Sequence, residues 1–286
     1  GIEKFRKMNL LEALNNGYRL LKTNNIDSYK IDAEILLTEC LNTSKEKLIL
    51  NLERKINLKL YKKFVENLER RKAREPIAYI LNQKEFWKYD FYVDQNVLIP
   101  RPETEHLVEE TLKIISKNQT KRLLEVGTGS GCLIISILKN RNNCTAISID
   151  CCGKAIKIAN INANLHHLKN RIKFIKTDVD NFNLGKYDLI ISNPPYIDKH
   201  QLKYLGVSEY EPLKALNGGI NGIEIIFKVI LKSSKLLKKN GKLIIEIGNN
   251  QKYKVNEILK KNNFFINKVI KDLSGKDRCI VSTKIF

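Results

Sequence analysis

From residue 120 onward the chain alternates short apolar runs with amphipathic stretches, and few folds accommodate that order. The apolar runs are 122–126, 145–150, 172–175, 187–192, 242–247, 264–270 and 278–283. Stretches such as 154–165 and 222–238 lie between them and carry helical periodicity. Strands that are apolar on both faces, each followed by a helix, predict an α/β fold with a mostly parallel sheet covered on both sides. Ligands bind such sheets at the carboxyl ends of the strands, so chemistry is to be sought there.

The preceding segment has another character. Residues 8 to about 74 read as helical. Leu10, Leu11, Leu14, Tyr18 and Leu21 share one face; Ile31, Ile35, Leu36 and Leu41 mark a second helix starting near Asp27-Ser28; Leu58, Tyr61, Phe64, Val65 and Leu68 mark a third. Phe86-Trp87, residues 89–93 and residues 97–99 read as a β-hairpin turning at Asp94-Gln95-Asn96. Pro100-Arg101-Pro102 breaks it, and a helix follows over 103–117. The expected organisation is a helical domain over 1–83, a linking hairpin over 84–102 and the α/β domain over 103–286. Gly1 is not an initiator and Met8 is the only methionine, so residues 1–7 read as a leader or an added remnant.

Composition excludes several classes. No apolar run approaches a membrane span, and the charged first residues do not read as a secretory leader. The six cysteines form no C-x-x-C pair, and the four histidines have no metal-ligand spacing. Free thiols in a reducing cytoplasm and no metal are expected. The net charge of +20 is spread evenly: residues 1–75 hold 17 Lys/Arg against 11 Asp/Glu. That permits an acidic or RNA-rich partner without marking a patch for one.

Three strand ends carry candidate ligand contacts. Glu125-Val126-Gly127-Thr128-Gly129-Ser130-Gly131 follows the first strand. Glycines there let the backbone approach a ligand and turn into a helix. The spacing is G-x-G-x-G; Cys132 stands where a dinucleotide fingerprint needs glycine, and the lysine of a P-loop is missing. An adenosyl ligand without pyrophosphate fits best. Asp150 ends the second strand and suits both ribose hydroxyls, or a helix cap. Asp178 suits the adenine amino group, or a turn, and Val179 the adenine face.

The fourth strand end is Asn193-Pro194-Pro195-Tyr196. It reads as a rigid clamp for a planar NH2 group, or as an ordinary proline turn. The Asn193 side-chain oxygen and the Pro194 carbonyl can each accept one N–H, with proline presetting the backbone. The Tyr196 ring can cover the flat face of the amide.

These features, in this order, resemble class I methyltransferases that use S-adenosyl-L-methionine. Arg74-Glu75-Pro76-Ile77-Ala78-Tyr79-Ile80, Glu85-Phe86-Trp87, the run from Leu98 to Glu105, the run from Glu211 to Leu216, and the glycine-rich run from Gly218 to Gly222 resemble the release-factor glutamine methyltransferases (the PrmC/HemK family). The resemblance implies a Rossmann-like, mostly parallel seven-stranded sheet with a small helical N-terminal substrate-recognition domain and a linking β-hairpin. It implies N5-methylation of the glutamine in the Gly-Gly-Gln motif of class-1 peptide-chain release factors, with S-adenosyl-L-homocysteine as product. Gly127, Thr128, Gly129, Ser130, Gly131, Asp150, Val179 and Asn193 would then bind the cofactor. Asn193, Pro194, Pro195 and Tyr196 would hold the substrate, with Asn193, Pro194 and Tyr196 in the catalytic role. Val179 departs from the aromatic ring that family members often carry. A cytoplasmic monomer with no membrane or direct DNA binding is expected. The alternatives are a DNA adenine-N6 or cytosine-N4 methyltransferase and a non-catalytic RNA- or ribosome-binding module. The spread charge and the lack of a long base-reading segment disfavour the first, and the intact clamp disfavours the second.

Overall fold

The computed structural model describes residues 8–204 and 209–286. Segment 1–7, read from the sequence as a leader or remnant, lies outside them. The chain divides into two compact units, Gly1–Asn82 and Gln83–Phe286.

In the first unit, helices α1 (Leu10–Thr23), α2 (Tyr29–Leu41), α3 (Lys45–Leu50), α4 (Leu58–Lys72) and α5 (Ile77–Leu81) surround one core. A capping box starts α1: the Asn9 side chain accepts from the Glu12 N–H and Glu12 reaches back to the Asn9 N–H. The α2 face differs from the one expected. Ile31 is 60% exposed and Ile35 is exposed too, while Ala33, Leu36, Leu37 and Cys40 are buried. The reason is close helix packing: a Cβ on Gly17 of α1 would lie 3.3 Å from the Ala33 Cβ. The small residues face inward at that approach and rotate the isoleucines out. Asp32, also buried, pairs with Arg71 of α4 at 2.7 Å.

The second unit opens with a short hairpin, β1 (Lys84–Phe86) and β2 (Tyr89–Phe91), paired antiparallel. The sequence placed a strand at 97–99. The structure has none there: the turn at Asp94 forms, but the Ile99 N–H then donates to the Glu211 carboxylate rather than to a strand partner. The helix expected over 103–117 is a 3-10 turn, Pro102–Thr104, followed by α6 (Glu105–Ile114).

Seven strands make the main sheet: β3 (Arg122–Val126), β4 (Thr145–Asp150), β5 (Ile172–Lys176), β6 (Tyr187–Ser192), β7 (Leu237–Glu246), β8 (Phe264–Lys271) and β9 (Asp277–Lys284). Their order is β5-β4-β3-β6-β7-β9-β8, with β9 antiparallel to both neighbours and the other pairs parallel. Alternate residues feed two cores. Leu123, Leu189 and Ile244 join α6, α7 (Cys132–Asn140), the hairpin's Phe86 and Phe91, and Ala163 of α8 (Gly153–Leu165). Leu124, Ile190 and Leu243 join α9 (Glu224–Leu236) and α10 (Lys252–Lys261) on the other face. Each buried Leu or Ile contributes roughly 1.5–3 kcal/mol. The ends of β3, β4 and β6 open beside one another, because β3 pairs in register with both other strands. No helix among the described residues is long and apolar enough to cross a membrane.

Candidate active site

A cavity of about 440 Å³ opens at those strand ends. Gly127, Thr128, Gly129 and Ser130 line it after β3, Asp150 after β4, Asp178 and Val179 after β5, and Asn193 and Pro195 after β6. Segments 96–101 and 212–215 also line it. Arg101 holds the Glu211 carboxylate at 2.6 Å, which ties those two segments together. All four expected strand ends thus contribute to one cavity.

Three of the expected site residues are placed otherwise. Gly131, Pro194 and Tyr196 do not line the cavity. Gly131 starts α7 with φ +81, and a Cβ there would lie 3.1 Å from Ile135 and 3.3 Å from Ala159. Its glycine serves the turn and the packing of two helices. Pro194 is buried, and its carbonyl accepts no hydrogen bond from a described residue. The Tyr196 hydroxyl donates to Glu246 at 3.0 Å.

The glycine turn is a cradle with φ +89 at Gly127 and φ +53 at Gly129. A Cβ on Gly129 would meet nothing within 4 Å, so backbone conformation alone calls for glycine there. The Gly129 N–H donates to Asp150 Oδ2 at 3.0 Å and the Cys152 N–H to Asp150 Oδ1 at 2.8 Å. Each carboxylate oxygen has a second lone pair, so Asp150 is fixed by the backbone and keeps acceptor capacity for a ligand. Burial raises the Asp150 pKa, opposed by those backbone bonds. Asp178 accepts the Asp180 N–H at 3.0 Å, so it does serve as a cap while also facing the cavity. Cavity size, cradle and free carboxylate lone pairs together fit an adenosyl group.

The clamp is held from below. Asn193 Nδ2 donates to Thr104 Oγ1 at 3.2 Å, and Thr104 Oγ1 donates to Glu246 Oε2 at 2.7 Å. The Asn193 carboxamide oxygen accepts nothing from the described residues. Glycines 218 and 222 press against the neighbouring backbone. A Cβ on Gly218 would lie 2.8 Å from the Pro195 carbonyl oxygen, and one on Gly222 would lie 2.0 Å from that of Tyr196.

Three acids around the cavity carry no motif signature of their own. Glu125 at the end of β3 is fully buried, accepts from Ser148, and has its carboxyl pushed up to about 8 by burial. Glu246 at the end of β7 is 1% exposed. Glu211 anchors the segments at the cavity mouth. A sequence signal exists for the first two: each is the one acid in its strand and follows a run of buried apolar residues, where an unpaired charge is costly.

A family model described as the PrmC N-terminal domain matches residues 12–81, and one described as a methyltransferase domain matches residues 117–281. The release factor glutamine methyltransferase of Clostridium acetobutylicum is 34% identical over 282 residues, spanning 97% of this chain and 99% of its own. The enzyme of the same description from Clostridium botulinum is 36% identical, spanning 97% of this chain and 100% of its own. The crystal structure of ribosomal protein L11 methylase from Lactobacillus delbrueckii subsp. bulgaricus superimposes with a TM-score of 0.51 at 21% identity, over 68% of this chain and 84% of that one. That likeness is one of fold: a class I methyltransferase sheet.

Proposed function

The chain belongs to the release factor glutamine methyltransferases, and on that premise we propose that it methylates the glutamine of the Gly-Gly-Gln motif in class-1 peptide-chain release factors. The methyl group goes to the side-chain amide nitrogen, N5. The donor is S-adenosyl-L-methionine, which supplies an electrophilic methyl on a sulfonium and leaves as S-adenosyl-L-homocysteine. Work on release factors is work in the cytoplasm.

One observation carries the reading: Asn193 stands on the wall of the Asp150 cavity with its NH2 tied to Thr104 and its oxygen free. An amide nitrogen shares its lone pair with its carbonyl and is a weak nucleophile. Acceptors on its two N–H groups raise its electron density and aim it. The Asn193 oxygen on the cavity wall is the first acceptor; the Pro194 carbonyl, off that wall but with no hydrogen bond from a described residue, is assigned the second. Gly127 to Ser130 and Asp150 hold the nucleoside end, and Val179 covers the adenine. Orientation at ~3–3.5 Å is then the main contribution of the site to rate. As the nitrogen–carbon bond forms, the substrate nitrogen loses one proton to solvent, so the chain needs no dedicated base.

The helical unit, with its own core, is assigned the recognition of the release factor; the family match over residues 12–81 supports that role. Incubation with labelled S-adenosyl-L-methionine and purified release factor, followed by mass spectrometry of the Gly-Gly-Gln peptide, tests the whole reading. A single added methyl mass on that glutamine is expected. Label on DNA, or on no macromolecule, refutes it.

A further inference from the structure

Beneath the clamp a chain of hydrogen bonds runs from Tyr196 through Glu246 and Thr104 to Asn193, and its last two members line the cavity. Its centre is Glu246. One carboxylate oxygen takes the Thr104 hydroxyl at 2.7 Å and the other takes the Tyr196 hydroxyl at 3.0 Å. Thr104 in turn takes the Asn193 amide at 3.2 Å. Glu246 and Thr104 are buried at 1% and 4% exposure, so water does not compete for these bonds.

The direction of each bond follows from chemistry. An ionised carboxylate only accepts. Thr104 has one hydroxyl proton, and ionised Glu246 commits it. The Thr104 oxygen can then only accept from Asn193, so the Asn193 NH2 must point down and its oxygen must point into the cavity. A protonated Glu246 removes that constraint. It can donate to Thr104, which is then free to donate to the Asn193 oxygen. The carboxamide would turn over and present NH2 to the substrate's own NH2, where two donors meet.

We infer that Glu246 is a positioning residue that sets the polarity of the Asn193 carboxamide through Thr104, so that the clamp accepts the substrate amide only while Glu246 is ionised. This rests on the proposed function for its substrate, and on geometry alone for its polarity.

The groups facing Glu246 come from three other elements. Burial is the strongest influence and favours the neutral form; Thr104, Tyr196 and Arg278 of β9 favour the carboxylate, and Glu103 opposes it. Cys279, its partner across the β7–β9 pair, has its thiol raised by burial and stays neutral. Arg278 is itself engaged with Asp272 at 2.8 Å. The balance leaves the Glu246 carboxyl pushed up to about 7, where ordinary changes of pH switch it.

The test uses the full-length chain and release factor. The wild-type kcat should rise with pH through about 7. Glu246→Gln should lose that limb and lower kcat by roughly 10–100-fold, the scale of a misoriented reacting group. Calorimetric affinity for the cofactor should hold within about 3-fold, which also reports a folded site. Thr104→Val should lose the same limb, and Thr104→Ser, which keeps the hydroxyl, should restore it. A second readout needs no turnover. The Asn193 side-chain NH2 resonances, assigned by their loss in Asn193→Ala, should titrate with Glu246 in wild type and be flat in Glu246→Gln. Retention of the acid limb in Glu246→Gln, or an Asn193 amide signal indifferent to pH, overturns the inference. A wild type that methylates no release factor overturns the proposed function instead, and the amide titration still decides the polarity.

Discussion

At the scale of single residues, the site separates groups that touch ligand from groups that aim them. Asn193→Ala removes the free oxygen on the cavity wall. Transfer should fall by roughly 10²–10³-fold, as when one preorganised hydrogen-bond group is lost. Cofactor affinity should barely change; single-turnover kinetics with calorimetry checks both. Asp150→Ala should do the reverse. It removes the acceptor that the Gly129 and Cys152 N–H groups fix beside the cavity. At about 1.5–3 kcal/mol for a hydrogen bond to a charged group, cofactor affinity should weaken by roughly 10–100-fold, read by the same calorimetry. Asn193 and Asp150 were legible because each closes a strand and stands in a recognisable local pattern. Thr104 lies unmarked inside a longer motif, and Glu246 has no motif around it. Their roles come from a bond that joins positions far apart in the chain, which no local spacing encodes.

At the scale of elements, the clamp depends on the loop packed against its backbone. Segment 216–222 lies under the Pro195 and Tyr196 backbone, bonded through Ile197 N–H to Leu216 at 3.1 Å and Gly218 N–H to Ile197 at 2.8 Å. Gly222 has φ +66, and a Cβ there would clash with the Tyr196 carbonyl oxygen. Gly222→Ala therefore meets both a strained backbone and a steric block, and the loop must shift. A displacement near 1 Å at the clamp is enough to lower kcat by about 10²-fold. Cofactor affinity should change far less, because the glycine cradle and Asp150 lie on other strands; comparing kcat with cofactor affinity checks this. The sequence showed these glycines as a pattern, and the structure supplies the reason. Strand and helix positions were largely readable from apolar runs. The segment 97–99 was misread because an apolar triplet after a turn resembles a strand, whereas Glu211 takes its backbone N–H. The α2 face was misread because alanine and cysteine carry little periodic signal, yet they are what a close helix contact selects.

At the scale of the whole molecule, two units with separate cores give two stabilities that can be followed separately. Trp87, the only tryptophan, lies in the second unit, so its fluorescence reports that unit alone. Leu36 is wholly buried in the first. Leu36→Ala should cost about 2–5 kcal/mol in helical signal, with the tryptophan transition and cofactor affinity unchanged. The second unit should show a distinct pH dependence. Glu125 titrates at about 8 in the folded chain, against an ordinary value of 4.5, because burial penalises its charge. Between those values the folded state holds a proton that the unfolded chain has released, so stability falls as pH rises through this window. The contribution is intact below the ordinary value and gone above the folded one. From pH 5 to pH 9 about three tenfold steps of proton affinity are lost, about 4 kcal/mol at ~1.4 kcal/mol each, so this group alone should lower the tryptophan-detected midpoint by roughly 8–16 °C. Glu246 has the same sign, so Glu125→Gln, which is neutral at every pH, should make the decline shallower without abolishing it. A Glu125→Gln profile as steep as wild type would mean that the carboxyl ending β3 is charged throughout. The cradle that follows it would then owe its shape to a buried carboxylate rather than to a neutral acid.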